Sequence, residues 1–356
     1  MLKPKKKKIL FLYFELAGYV VACMEKLATR YETEVHVVRY PINSVAPFQF
    51  KFSEHIYDYA RENYSNKELI KLVKEIGPDF VYVCGWADKG YLSVCKTINK
   101  RVPVVMTLDN PWLGTIKQRI ATLIGPFYLH QFFTHCWVPG VPNAEYARRL
   151  GFKKDRLIEH GMYSADVDLF HQYYEASKSK KENHFPHRFI YVGRYTELKG
   201  IRELWQAFTS LTDEERKGWE LWCLGKGELQ SEFPKSDSIK DCGFIQPNQL
   251  KKYLSDTGVF ILPTHYEHWG LVVHEYAASG FPMICSTTTN AASTFLIDGE
   301  NGYFCQPKSA SSIKESLLKM INSDDDDLIS MGKKSVELSQ LITPEKWADT
   351  IMSLVK

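Results

Sequence analysis

Short apolar runs alternate with amphipathic stretches twice along this chain, and that alternation most restricts what it can fold into. In the first half, ILFLYF (Ile9–Phe14) has the length and apolarity of a buried strand, and Tyr19 to Ala28 then carries helical spacing. EVHVV (Glu34–Val38), DFVYVCG (Asp79–Gly85) and VPVVMTL (Val102–Leu108) repeat the strand pattern. From Arg188 it starts again, with FIYVGRY, ELWCLG, VFILPTHYE and PMICST as strands. Helices are expected between them at Ile201–Ser210, Asn248–Ser255 and Leu271–Ser279. Strand and helix in regular alternation predict an α/β chain with parallel sheets covered by helices.

A chain of 356 residues exceeds the span of one ordinary domain, and the pattern divides it in two. The expected limits are an N-terminal domain over 1–168, a linker over 169–187 and a C-terminal domain over 188–343. The predicted helix Pro344–Leu354 returns to the first domain. The linker is inferred from HQYYEASKSKKENHFPH, which loses apolar periodicity and turns polar and Lys-rich. Asp324–Asp327 reads as a solvated loop, and no repeat of solenoid length is present.

Lys+Arg exceed Asp+Glu by three, 45 against 42, a balance that argues against nucleic acid as partner. Basic residues do cluster at Lys3 and Lys5–Lys8, ahead of the apolar run. That run is broken by Glu15 and lacks a small-x-small cleavage pattern, so the expectation is a cytoplasmic protein rather than an exported one. No stretch reaches the ~18 uninterrupted apolar residues of a spanning helix. Eight scattered cysteines without a C-x-x-C pair suit buried thiols in a reducing compartment. Trp112, Leu113, Ile116, Ile120, Ile124 and Phe127 recur at helical spacing beside Lys117 and Arg119. Core packing is the default account of such a stripe, and a face that grips a membrane is the alternative.

The chemistry concentrates in two segments. In LPTHYEHWGLVVHEYAASGFPMI (Leu262–Ile284) a strand runs into a polar loop, and the helix after it stops at Gly280 with Pro282 beyond. The backbone N–H groups at the helix start beside Trp269, Gly270 and Leu271 are suited to a diphosphate. Glu267 in the loop and Glu275 on the second turn flank that anion site, and carboxylates accept hydrogen bonds from vicinal hydroxyls. In FIYVGRYTELKG (Phe189–Gly200) another strand delivers Arg194 and Lys199, two cations able to neutralise a leaving diphosphate where a metal does so elsewhere. No D-x-D run stands out as a metal holder. His265, His268 and His274 crowd the same region, but lack the i, i+4 loop-free spacing of a helical zinc pair and read as residues that shape a sugar pocket or make ordinary hydrogen bonds.

Glu267 and Glu275, with seven residues between them, and the following Gly280-Phe281-Pro282, resemble the mark of the retaining glycosyltransferases of family 4. Gly193-Arg194 with Lys199-Gly200 is similar to that family's diphosphate-binding G-R…K-G. LGKGEL (Leu224–Leu229, with Gly225) resembles its turn near the nucleoside. CGFIQPNQLKKYLSDTGVFILP is similar to its base-reading segment, with Phe244 and Ile245 at the base, and GFKKDRLIEHGMYSADVDLF (Gly151–Phe170) to the stretch leading into the linker. These matches stand in family order from about Ile9 to Pro307.

The resemblance implies a GT-B fold, two Rossmann-like domains with parallel sheets facing across a donor-binding cleft. It implies retaining transfer from a nucleotide-sugar, UDP-sugar by default, to a glycan or lipid-linked acceptor in cell-surface polysaccharide synthesis. No metal or other cofactor is expected, and the stripe from Trp112 to Phe127 with the basic start leaves peripheral contact with the membrane surface open. Glu267 and Asp109 are the implied catalytic residues. Gly18, Arg194, Lys199, Gly225, Phe244, Ile245, Trp269, Gly270, Leu271 and Glu275 are the implied donor contacts. Three departures stand out. Glu15-Leu16-Ala17-Gly18 carries one glycine where the family often has two, Leu108-Asp109 lacks the family's His, and Asn290-Ala291-Ala292-Ser293-Thr294 replaces a Gly-Gly…Glu stretch. An epimerase or phosphorylase on the same fold, or a silent nucleotide-sugar-binding protein, are the alternatives left open.

Overall fold

The computed structural model describes residues 5–41, 52–98, 101–246 and 249–355. Lys3 of the basic start and Asn248, the expected first residue of a helix, lie outside them. The chain divides into two compact units, residues 1–166 with 342–356, and Val167–Leu341.

The first unit is a seven-stranded parallel sheet: β1 (Lys8–Tyr13), β2 (Glu34–Arg39), β3 (Ile56–Ala60), β4 (Phe80–Cys84), β5 (Val104–Thr107), β6 (His135–Trp137) and β7 (Leu157–Ile158). Their order is β3-β2-β1-β4-β5-β6-β7. Central β1 explains why its sequence is apolar without alternation. Ile9 and Phe11 enter one core and Leu10 and Leu12 the other, all four fully buried. Side chains of a strand alternate between faces, so a strand covered on both must be apolar throughout. The helix Pro344–Leu354 belongs to this unit. Trp347 stacks on Phe11 at 5.8 Å, and its indole N–H donates to the Met162 carbonyl at 3.1 Å.

The second unit is a six-stranded parallel sheet: β8 (Arg188–Val192), β9 (Glu220–Leu224), β10 (Ile239–Gly243), β11 (Val259–Leu262), β12 (Met283–Ser286) and β13 (Gly302–Cys305), in the order β10-β9-β8-β11-β12-β13. Both sheets reverse strand order once, between β1 and β4 and between β8 and β11. At such a reversal the loops leaving two adjacent strands part and open a crevice beyond their carboxyl ends.

Three expectations need correction. The polar stretch expected as a linker over 169–187 is mostly helix, Val167–Asn183. Its inward residues, Val167, Phe170, Ser177 and Lys181, keep helical spacing but include two polar types, which hides the stripe. Lys181 lies with its ammonium 3.6 Å from the Phe281 ring centre. Asp325–Asp327, expected in a loop, form the first turn of the helix Asp325–Ser339, where negative charge complements the helix dipole. The stripe expected as core is not core beyond its first residue: Trp112 is half-buried against the core, but Leu113 is exposed, and Ile116, Ile120, Ile124 and Phe127 face outward on the helix Ile116–Tyr128.

Among the described residues no helix is long and apolar enough to cross a membrane. Six of the eight free cysteines are buried and two half-buried.

Candidate functional site

In the second unit the site forms where β8 and β11 part. The loop leaving β8 begins at Gly193, and glycines let the neighbouring backbones close on one another. Gly225 has φ +157°, and a Cβ there would meet the Gly193 carbonyl oxygen at 1.9 Å. The Gly193 amide donates to the Leu224 carbonyl at 3.0 Å, and that of Tyr195 to Lys226 at 3.0 Å. Arg194 therefore leaves a backbone fixed on both sides, its own carbonyl accepting from the Tyr191 hydroxyl at 2.9 Å, while its side chain stays exposed. Burial pushes the Tyr191 phenol well above its ordinary value; Cys223 and the Glu267 carboxylate add to the effect and Arg194 opposes it. Tyr191 thus lies within the electrostatic reach of both Arg194 and Glu267.

The loop leaving β11 meets the end of the β8 loop. The His265 amide and the Thr264 hydroxyl both donate to the Leu198 carbonyl at 2.8 Å. This docking sets Lys199 against Glu267, whose carboxylate accepts from the Lys199 ammonium, each side chain only 18% exposed. The Glu267 amide donates to the Thr288 carbonyl, so the loop after β12 fixes the carboxylate's backbone. Gly270 follows in the left-handed region at φ +93°, where a Cβ would come within 2.9 Å of the Glu267 side chain. Among the described residues no side chain caps the helix Leu271–Ala278 that starts there, and its first turn carries no acid. A carboxylate, a paired ammonium, an exposed guanidinium and an uncapped helix start can together hold a phosphate group and a hydroxyl-bearing ring.

The structure distributes the remaining expected residues as follows. Glu275 is half-buried on the helix Leu271–Ala278. Trp269 is buried, and its indole N–H has no hydrogen-bond partner among the described residues. Leu271 is half-buried as the first residue of that helix. Phe244 is exposed and Ile245 half-buried, just past β10. Of the three histidines, His265 shares a hydrogen bond with Glu203 at 2.9 Å and His268 is exposed. His274 is fully buried, stacked on Phe295 and bonded to the Ser339 carbonyl, which makes it a core residue. Among the described residues no three His, Cys, Asp or Glu side chains gather as metal ligands would.

Gly18 and Asp109 lie in the first unit. Gly18 begins the helix Gly18–Tyr31, and, its chain neighbours and helix backbone apart, no atom of the described residues comes within 4 Å of where a Cβ would stand. Next to it, Tyr19 meets the Tyr163 ring edge-on at 5.7 Å, and the Tyr163 hydroxyl donates to Asp109 at 3.2 Å. Burial, aided by Tyr19 and Asp109, raises the Tyr163 phenol well above its ordinary value. Asp109 lines a cavity of about 300 Å³ with Phe14, Trp86, Asn110 and Tyr163. Tyr19 and Tyr163 escaped sequence reasoning, because nothing local in an aromatic residue tells that it will meet a carboxylate 54 positions away. Asp88, in the loop after β4, has a structural task. It caps the helix Lys89–Ile98 through the Tyr91 amide at 2.7 Å and pairs with the nearly buried Arg61 at 3.1 Å.

Residues 174–335, most of the second unit, match the family model described as glycosyl transferases group 1. The chain is similar to the capsular polysaccharide biosynthesis glycosyltransferase CapM of Staphylococcus aureus, 33% identical over 55% of this chain and 53% of that one. It is also similar to the putative teichuronic acid biosynthesis glycosyltransferase TuaC of Bacillus subtilis, 30% identical over 36% of this chain and 32% of that one. The chain thus spans about half or less of the length of the curated relatives it matches. Among solved structures, HepE of Anabaena in complex with UDP and glucose superposes with a TM-score of 0.71 at 14% identity, covering 98% of both chains. Sucrose-phosphate synthase of Thermosynechococcus elongatus gives 0.71 at 20% identity over 98% of both. The fold is GT-B.

Proposed function

We propose that this protein is a glycosyltransferase that moves a sugar from a nucleotide-sugar, a UDP-sugar by preference, to a glycan or lipid-linked glycan. The observation that carries the reading is the Lys199–Glu267 pair set against the Gly270 helix start, with Arg194 on the adjoining loop. A matched domain of group 1 glycosyl transferases covers these residues.

In this reading Arg194, Lys199 and the N–H groups after Gly270 take up the charge that builds on the leaving diphosphate, so the transfer needs no divalent metal. Glu267 orients the donor sugar through its hydroxyls, and Glu275 the ribose. Gly225, Phe244 and Ile245 border the base, and Trp269 offers an indole N–H that has no partner among the described residues. In the first unit Gly18 leaves room for a phosphate, and Asp109, held by Tyr163, receives the acceptor hydroxyl or positions it. Transfer keeps the anomeric configuration, with attack on the face from which the diphosphate departs. The named relatives in capsular polysaccharide and teichuronic acid synthesis favour a cell-surface polymer pathway, run in the cytoplasm at the inner face of the membrane.

The test is release of free nucleotide from a panel of nucleotide-sugars in EDTA, with glycan and lipid-linked acceptors, followed by NMR of the new anomeric centre. Acceptor-dependent release that Arg194→Ala and Glu275→Ala abolish is expected. Sugar isomerisation without acceptor, or dependence on inorganic phosphate, contradicts the reading.

A further inference from the structure

In a surface helix of ordinary packing, large apolar side chains point inward and polar ones outward. The helix Ile116–Tyr128 reverses this. Ile116, Leu123 and Phe127 are 78%, 77% and 81% exposed, and Ile120 and Ile124 more than half. Its inward side is made of small residues. Gly125 is buried so closely that a Cβ would stand 2.9 Å from the Leu150 side chain, and Ala121 is half-buried one turn earlier. At ~100° per residue the five outward apolar positions fall within an arc of about 100°. Lys117 and Arg119, both exposed, fall at its two borders.

We propose that this helix seats the protein on an anionic lipid bilayer, its apolar arc entering the acyl boundary and Lys117 and Arg119 meeting the headgroups. Charge decides the occupant. Between Asp109 and Glu145 the chain has no Asp or Glu, so the arc is bordered by cations with no carboxylate among its own residues. A two-fold contact with a second copy would bring these cations toward their own kind, whereas an anionic membrane attracts each of them. Cations bordering an apolar face, with stems long enough to reach headgroups, suit a helix lying in the interface plane. The apolar surface also continues inward. Ile124, Tyr128, Leu129, Leu150 and Trp86 line a cavity of about 270 Å³, room for part of a hydrocarbon chain. Trp86 also borders the cavity that holds Asp109, so hydrocarbon and polar space meet at one side chain. The inference stands independently of the donor site.

The test is co-sedimentation of the full chain with vesicles of phosphatidylglycerol and phosphatidylcholine, and with phosphatidylcholine alone. The residues changed are exposed, so the variants keep the parent's thermal stability. The parent is expected to partition onto anionic vesicles. Leu123→Ser with Phe127→Ser lowers that partition at least tenfold, and Lys117→Glu with Arg119→Glu lowers it tenfold on anionic vesicles with little change on neutral ones. A parent that stays in the supernatant, or variants that sediment like it, overturns the proposal. So does a parent dimer in vesicle-free buffer that Leu123→Ser with Phe127→Ser dissolves, since the face would then belong to a second copy.

Discussion

Replacing Lys199 by Met separates two tasks that the Lys199–Glu267 pair combines. Both side chains are 18% exposed, between the open surface, where a pair contributes at most ~1 kcal/mol, and full burial, where losing one partner costs ~3–5 kcal/mol. Lys199→Met should therefore destabilise the chain by about 2 kcal/mol, mostly by stranding the Glu267 carboxylate. Adding Glu267→Gln removes the stranded charge and should restore about 1 kcal/mol of that loss. Donor affinity should behave differently. A charge-assisted contact to a diphosphate contributes about 2–3 kcal/mol, so Lys199→Met should raise the Kd for UDP-glucose roughly 30- to 150-fold. Glu267→Gln cannot restore that contact, and the double variant should bind no better. Urea unfolding gives the stabilities and isothermal titration calorimetry the affinities. A Lys199→Met variant that binds within threefold of the parent would make the pair structural only and refute this argument.

Two further outcomes follow from the packing. Lys181 is buried without a hydrogen-bond partner among the described residues; burial, then the charge of Lys180, pushes it from 10.5 down to about 7. Between those values the unfolded chain holds a proton the folded one has released, so stability rises with pH. Urea midpoints should show the parent gaining about 1–2 kcal/mol more than Lys181→Met between pH 7 and 8.5, and equal pH slopes would rule the effect out. Trp347 is 2% exposed, packed on Phe11, Tyr82 and Trp137. Trp347→Ala should cost about 3–5 kcal/mol in urea unfolding, and a loss under 1 kcal/mol would show that the C-terminal helix is dispensable.

What the sequence disclosed follows the physics of each element. Central strands such as β1 and β11 are apolar on both faces and stand out, as does the Gly280 stop. Edge strands do not: β3 is IYDYA, buried only at Ile56, and β10 is IKDCG, so neither departs from the composition of a loop. The Val167–Asn183 helix was hidden because Ser177 and Lys181 occupy inward positions. The stripe from Ile116 was legible as a helix, but spacing is the same whichever way a face points. What turns it outward is the close seat of Gly125 on Leu150, a contact between distant segments. At the site, Arg194, Lys199, Glu267 and Glu275 announce themselves by charge after a strand. Their supports, Tyr191 beneath Arg194 and Tyr163 on Asp109, are aromatic residues indistinguishable in sequence from core.

The central claim is that a nucleotide-sugar lies where β8 and β11 part. Hydrogen exchange of the full chain with and without saturating UDP-glucose in EDTA tests it most directly. Slowed exchange across residues 193–200 and 265–275, lost in Arg194→Ala, is the predicted result. Slowed exchange elsewhere with those two segments unchanged, when calorimetry shows the ligand bound, would contradict it.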